Sequence, residues 1–148
     1  MRPVGSPKVD QFLLTMSDAR GFGTGGTSSL LTAGPSPTRA TCNLADPGVA
    51  FNFELPNSLQ QCRAFGFTQY NGAVQPVTIY GLIPSGEPFQ LNPPPGPPNF
   101  DWVVNVAART SLIVFMVDGL GRQGGASDLL QVPKSPQYDF ILTSKLDL

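Results

Sequence analysis

The chain contains one stretch of sequence twice, and this repeat constrains its fold more than any other feature. Residues 110–132 read TSLIVFMVDGLGRQGGASDLLQV, and an earlier copy spans residues 12–33. Aligning Asp18 with Asp118 matches a methionine, an aspartate and a glycine, and after a one-residue gap GGTSSLLTA falls on GGASDLLQV. The repeat predicts the end of one module followed by a complete second module of about a hundred residues, an ordinary size for a small domain.

Each copy of the repeat is predicted to form a β-hairpin. Phe12, Leu14 and Met16 alternate with other residues, as in a strand with one apolar face, and the residues aligned with them are apolar too. This shared face is therefore the predicted core face. A lone hairpin is marginally stable in water, so we expect the first copy to pack on the complete module, to extend its edge, or to exchange with a second molecule.

The composition indicates an all-β protein. Charged residues make up only 13%, and there are 16 glycines and 16 prolines, which favours many short strands joined by turns. Alternating patterns between residues 51 and 132 predict about seven strands in an immunoglobulin-like sandwich. The predicted organisation is a flexible lead-in (1–11), the hairpin of a truncated module (12–34), a linker (35–47), the complete sandwich module (48–133) and a C-terminal tail (134–148).

Two cysteines, Cys42 and Cys62, are the candidates for a disulfide. Closing a loop of about 20 residues would contribute ~3 kcal/mol in the chain-entropy estimate. The alternative is a free buried thiol at each position.

The titratable residues offer little catalytic chemistry. The chain has no histidine, which excludes Ser-His-Asp and Cys-His arrangements and leaves zinc only two cysteines and scattered carboxylates, so no cofactor or metal is expected. A carboxylate pair could still hydrolyse glycosides. The pool is Asp18, Glu54, Glu87, Asp101, Asp118 and Asp128. Asp18 and Asp118 recur in the same D-x-x-G context, which favours aspartates that cap their own turns.

Other features bear on partners. The net charge of −1 and the absence of a long apolar run argue against nucleic acid and membrane insertion as partners. Tyr70 and Tyr80 each border a turn and are the candidates for an exposed sugar-stacking surface, whereas Trp102 starts an apolar alternation typical of a core. The proline run at residues 92–99 could bind to an aromatic groove of a partner protein, or it could form a stiff loop.

Two segments carry a family resemblance: LQQCRAFGFTQYNGAVQPVTIYGLIPSGEPFQL, and DWVVNVAARTSLIVFMVDGLGRQGGASDLL. They resemble the tandem repeats of small secreted or surface-anchored fungal proteins and, more distantly, the immunoglobulin-like domain of the fungal cell-wall β-glucan assembly family. The resemblance implies a secreted or cell-surface protein, whose leader we expect to lie outside this sequence. Such repeats tend to read AAGTS, so Arg109 stands where a glycine would ease the turn.

Three functions follow as expectations. The first is a non-catalytic module that binds or spaces at the fungal cell wall, with polysaccharide as the first partner to test. The second is a protein-interaction module that self-associates through exposed hairpin edges. The third, an enzyme acting on glycans, is the least favoured because no catalytic constellation is present.

Overall fold

The computed structural model describes residues 11–133. The predicted tail, and the predicted lead-in apart from Gln11, lie outside these residues. The described part of the chain contains no helix that could cross a lipid bilayer. Its regular structure consists of nine antiparallel strands: β1 (Gln11–Phe12), β2 (Leu31–Thr32), β3 (Ala64–Thr68), β4 (Thr78–Leu82), β5 (Phe89–Leu91), β6 (Asn99–Val103), β7 (Ser111–Val117), β8 (Gln123–Ala126) and β9 (Leu130–Gln131).

Two sheets build the complete module. One pairs β3 with β6, and the other has the order β5-β4-β7-β8, with β9 also pairing with β7. Strand β7 alternates between fully buried and half-buried residues, as its apolar pattern requires. Its inner residues Leu112, Val114 and Met116 belong to the same buried cluster as aromatic residues of the β3–β6 sheet. The prediction of an all-β, sandwich-like fold is therefore confirmed.

The aromatic side of this core has a definite geometry. The Phe65 and Phe67 rings meet edge to face at a centroid distance of 5.4 Å, and the Trp102 ring centroid lies 5.1 Å from that of Phe89. The Trp102 indole N–H donates to Asn105 Oδ1, which satisfies the ring's one polar atom. Trp102 is thus a core residue, as its alternating pattern predicts.

One segment of the module with a strand-like pattern is not a regular strand. The segment 51–55 makes only one bridge, between Glu54 and Thr68, and its first residue, Phe51, is buried. A Cβ atom on Gly124 would lie 2.3 Å from the Phe51 ring, so the ring occupies the space above this glycine. Gly124 lies in β8, so the Phe51 ring packs against that strand.

The two copies of the repeat form the same hairpin. In the first copy the Leu14 N–H donates to Ser28 Oγ, while the Ser28 N–H donates back to the Leu14 carbonyl. In the second copy Val114 and Ser127 make the same two bonds at the same distances, 3.0 and 2.8 Å. A serine therefore interrupts the ladder at one aligned position in both hairpins.

The turn before β7 takes an unusual backbone conformation. Arg109 has a φ of +72°, in the left-handed region that a glycine adopts most easily. Its N–H donates to the Val132 carbonyl, and the Val132 N–H donates to Thr110. These bonds tie the turn to the end of the second hairpin.

Candidate functional site

Tyr70 does not form the predicted sugar-stacking surface. Its side chain is only 1% exposed and belongs to the core of the module. Burial raises the pKa of its phenol. The prediction was wrong because proximity to a turn does not show which way a side chain points, and this ring points inward.

Tyr80 is half-buried and lies between two other aromatic rings. It pairs with Phe115 across the β4–β7 ladder, and the two rings stack at a centroid distance of 5.1 Å. Phe22, from the first copy of the repeat, lies 4.4 Å from the same tyrosine ring. Phe22 and Phe115 therefore cover part of the predicted stacking surface, and all three rings are half-buried.

The Phe22–Tyr80 contact is part of a larger attachment between the first hairpin and the module. The Thr27 N–H donates to the Gly86 carbonyl at 3.2 Å, and the Ser85 N–H donates to the Ser28 carbonyl at 2.9 Å. These two bonds join the return half of the hairpin to the turn between β4 and β5. We call this attachment, formed by Phe22, residues 27–28 and residues 85–86, the hairpin joint.

Gly23 brings the hairpin close to the module at the joint. A Cβ atom at this position would lie 2.1 Å from Pro88 Cγ, well inside contact distance, and its φ of +75° is left-handed. Only a glycine suits both the conformation and the space. The G-x-G-x-x-G run that contains it is followed by β2 and not by a helix, so its glycines serve a turn and a close approach.

Asp118 holds the tip of the second hairpin. Its Oδ1 accepts hydrogen bonds from the Leu120 and Arg122 N–H groups, and its Oδ2 accepts from the Val74 N–H and from Arg122 Nε. The Arg122 guanidinium also donates to the Gly72 carbonyl. Asp118 thus caps its own turn and ties it to the loop before β4.

The environment of Asp118 sets its charge. Burial alone raises the pKa of this carboxyl, but the hydrogen bonds from the Arg122 side chain and from the Val74, Arg122 and Leu120 N–H groups outweigh that effect. The net result holds the pKa well below its ordinary value. Asp118 is therefore an ionised carboxylate paired with Arg122 at 2.7 Å.

Asp18 makes the corresponding turn in the first hairpin, but on the surface. Its Oδ1 accepts from the Arg20 N–H and from Thr24 Oγ1, and its Oδ2 accepts from Arg20 Nε. The Arg20 bonds lower the pKa of this carboxyl. Both aspartates accept from the N–H two residues further on, which is the geometry of an Asx turn.

The arginine that pairs with the aspartate differs between the copies, and this difference produces the joint. In the first hairpin the arginine stands two residues after the aspartate, whereas in the second it stands four residues after. The position taken by Arg122 in the second copy is Phe22 in the first, and its ring packs on Tyr80. The sequence analysis did not identify Phe22 as a contact residue. The presence of an aromatic residue where the other copy has an arginine is a signal that could have indicated it.

Cys42 and Cys62 are not bonded to each other, contrary to the predicted disulfide. Cys42 lies in a stretch, residues 32–50, in which every residue is exposed, so packing does not bring it to Cys62. Cys62 lies in the turn before β3, where its N–H donates to the Val104 carbonyl. Both thiols are exposed, so the alternative of buried thiols is wrong as well.

The Gln75 side chain forms hydrogen bonds with the backbone of the proline run. The Gln75 carboxamide donates to the Gly96 carbonyl at 2.6 Å and accepts from the Gly96 N–H at 2.7 Å. Pro93 is buried at the start of the run. The prolines therefore form an anchored loop beside β4, and Gln75 is a residue that the sequence pattern did not indicate.

The described residues also form one open groove lined by polar side chains. An open groove of about 640 Å³ is lined by Asn57, Ser58, Gln60, Arg63 and Ala64. The Asn57 side chain is already bonded to the backbone of Ala64 and Gly66. Within residues 11–133, no three His, Cys, Asp or Glu side chains are grouped so that they could hold a metal ion.

Comparison of the chain with protein-family models, with curated proteins and with solved structures gave no match.

Proposed function

We propose that this chain is a non-catalytic structural module of an extracellular or cell-surface repeat protein. In this proposal the C-terminal hairpin of one module is anchored on the next module, and the anchorage fixes the spacing between the two. The observation that carries the proposal is the hairpin joint, in which Phe22 packs on Tyr80 at a centroid distance of 4.4 Å.

The joint combines apolar contact with directional bonding. An aromatic pair contributes about 0.5–1.5 kcal/mol beyond its buried area. The two backbone hydrogen bonds, from Thr27 to Gly86 and from Ser85 to Ser28, fix the orientation of the hairpin as well as its position. A flexible tether would need neither an aromatic contact nor directional hydrogen bonds. These contacts therefore support a spacing role with defined geometry.

The extracellular setting and the cell wall enter this proposal through the sequence resemblance alone. In this proposal Tyr70 is a core residue and Tyr80 is part of the attachment, because Phe22 and Phe115 both lie against its ring. The role proposed here is mechanical: one repeat carries the next at a set distance.

Hydrogen exchange at the joint tests this proposal. The Thr27 and Ser85 amides donate across the joint, so they are expected to exchange slowly in the native chain. Replacing Phe22→Ala should speed both roughly two- to tenfold, which corresponds to losing about 0.5–1.5 kcal/mol of aromatic contact. The matched control is Phe22→Tyr, which keeps the ring and should keep the native exchange rates. If both amides exchange equally fast in all three chains, the hairpin is not anchored and the proposal fails.

A further inference from the structure

The first hairpin presents an apolar stripe to solvent. Phe12 is 41% exposed, Leu14 60% and Met16 72%, and the three stand at alternate positions of the extended segment that begins with β1. We call these residues the hairpin stripe. The sequence predicts them to be core residues, and in this chain that expectation is wrong.

The opposite face of the strand is the one turned toward the protein. Leu13 and Thr15 are half-buried, and Thr15 pairs with Thr27, which lies in the hairpin joint. Because side chains alternate along a strand, docking one face leaves the other face outward. The joint therefore fixes the hairpin stripe in an exposed orientation.

The second copy shows what covers the same face of this hairpin. Leu112, Val114 and Met116 align with the hairpin stripe, and each is fully buried. Within their own sheet they lie between β4 and the β8–β9 side, so their cover comes from the facing β3–β6 sheet. Phe65, Phe67 and Trp102 of that sheet belong to the same buried cluster as these three residues.

The β3–β6 sheet of this chain already packs against its own second hairpin. Its aromatic face is packed against the second hairpin, so another copy of the chain could offer that face only by displacing its own β7. The two hairpins share their serine interruption and their Asx turns, so they are suited to the same partner surface. What the hairpin stripe lacks is an aromatic β3–β6 sheet that has no hairpin of its own.

We propose that the hairpin stripe is the docking face for the aromatic sheet of another module of the same repeat. Phe12, Leu14 and Met16 then complete that module's core as Leu112, Val114 and Met116 complete this one. The inference rests on the proposed spacing function. It adds that the hairpin is shared, with one face belonging to the sandwich that it completes and the other anchored on the next module.

Methionine oxidation provides the test, because the two aligned methionines report directly on the two copies. In the native chain peroxide should oxidise Met16 rapidly and Met116 slowly, since one is exposed and the other is fully buried. The test chain carries residues 45–110 a second time, inserted directly before Gln11, which supplies a β3–β6 sheet in the register of the repeat. In it, Met16 should react at least about tenfold more slowly and approach the rate of Met116.

A matched control isolates the aromatic cover. The same extended chain has the inserted equivalents of Phe65, Phe67 and Trp102 replaced by serine, and its Met16 should react as fast as in the native chain. Met16 that stays fully reactive in the extended chain overturns the proposal, and so does equal protection in the control. Protection of Met16 in the native chain that rises with protein concentration also overturns it, because a second copy would then be the cover.

The two proposals can fail separately. The exchange of the Thr27 and Ser85 amides reports on the anchored face of the hairpin, whereas Met16 reports on the opposite face. Fast amide exchange together with a protected Met16 in the extended chain would remove the spacing function and leave the hairpin stripe as a docking face.

Discussion

The Phe22 ring lies 4.4 Å from the Tyr80 ring, and Tyr80 in turn stacks on Phe115 at 5.1 Å. One residue of the first repeat thus covers an aromatic pair on the outer face of the second repeat's sheet. This relationship connects the two copies and leaves Tyr80 half-buried.

Gly23 provides a test of the joint with a closely matched control. Gly23→Ala should detach the hairpin, because its Cβ would lie 2.1 Å from Pro88 Cγ. Gly26→Ala carries nearly the same left-handed φ, +78° against +75°, but has nothing within 4 Å. Both variants carry the backbone cost of roughly 1–2 kcal/mol, so any difference between them measures the contact with Pro88. Trypsin cleavage after Arg20 should be faster in Gly23→Ala than in Gly26→Ala, and equal rates would contradict the contact.

Asp118→Asn should destabilise the module, while Asp18→Asn should leave it nearly unchanged. Asp118 is buried and accepts from four donors on both its own turn and the 72–74 loop, whereas Asp18 is exposed and bonds only within its own hairpin tip. An amide cannot accept at both of its polar atoms, so some buried donors would lose their partner. The thermal midpoint should fall by several degrees for Asp118→Asn alone. Equal shifts for the two variants would show that the buried network is not what stabilises the turn.

Stability should decline in acid because of Asp118. Its pKa in the folded chain lies below the ordinary value of 3.8, so its contribution is fully present above that value and is lost as the pH falls toward the lower folded pKa. Urea unfolding measured between about pH 6 and pH 2 should show this loss, and the Asp118→Asn chain should show a weaker pH dependence in that range. An identical acid profile for both chains would contradict the assignment.

The two cysteines should behave as accessible thiols. Both are exposed and neither is bonded, so a chromogenic disulfide reagent should titrate two thiols in the native chain. A reducing agent should leave the thermal midpoint unchanged, because it has no bond to break. If the reagent detects no thiols before reduction and two afterwards, the two cysteines form a disulfide.

Gly81→Ala should disturb the core. A Cβ atom there would lie 2.2 Å from the Phe89 ring, and Phe89 contacts Trp102. Overfilling a packed core costs typically about 1–3 kcal/mol, which urea unfolding followed by the fluorescence of the single tryptophan would detect. Gly96→Ala, whose Cβ has nothing within 4 Å, is the control. No loss of stability in Gly81→Ala would mean that Phe89 can move without cost.

The errors in the sequence analysis share a physical origin. The alternation of Phe12, Leu14 and Met16 identifies an apolar face correctly, but alternation cannot say whether another surface covers that face. In the second copy Val114 is fully buried, whereas Leu14 at the aligned position is 60% exposed. The strand segments are equivalent, and only the second meets an aromatic sheet. Proximity to a turn likewise does not show whether a ring is exposed, and Tyr70 is a core residue.

The sequence by itself determined the features that depend on near neighbours in the chain. It predicts an all-β protein, the alternating strand β7, and two matching hairpins whose aspartates bond to N–H groups two residues away. Tertiary structure alone decided which hairpin face is anchored, that Phe22 covers Tyr80, and that Cys42 and Cys62 stay apart. Turn bonds and strand alternation are set by local geometry, whereas burial depends on which distant segments reach the same surface.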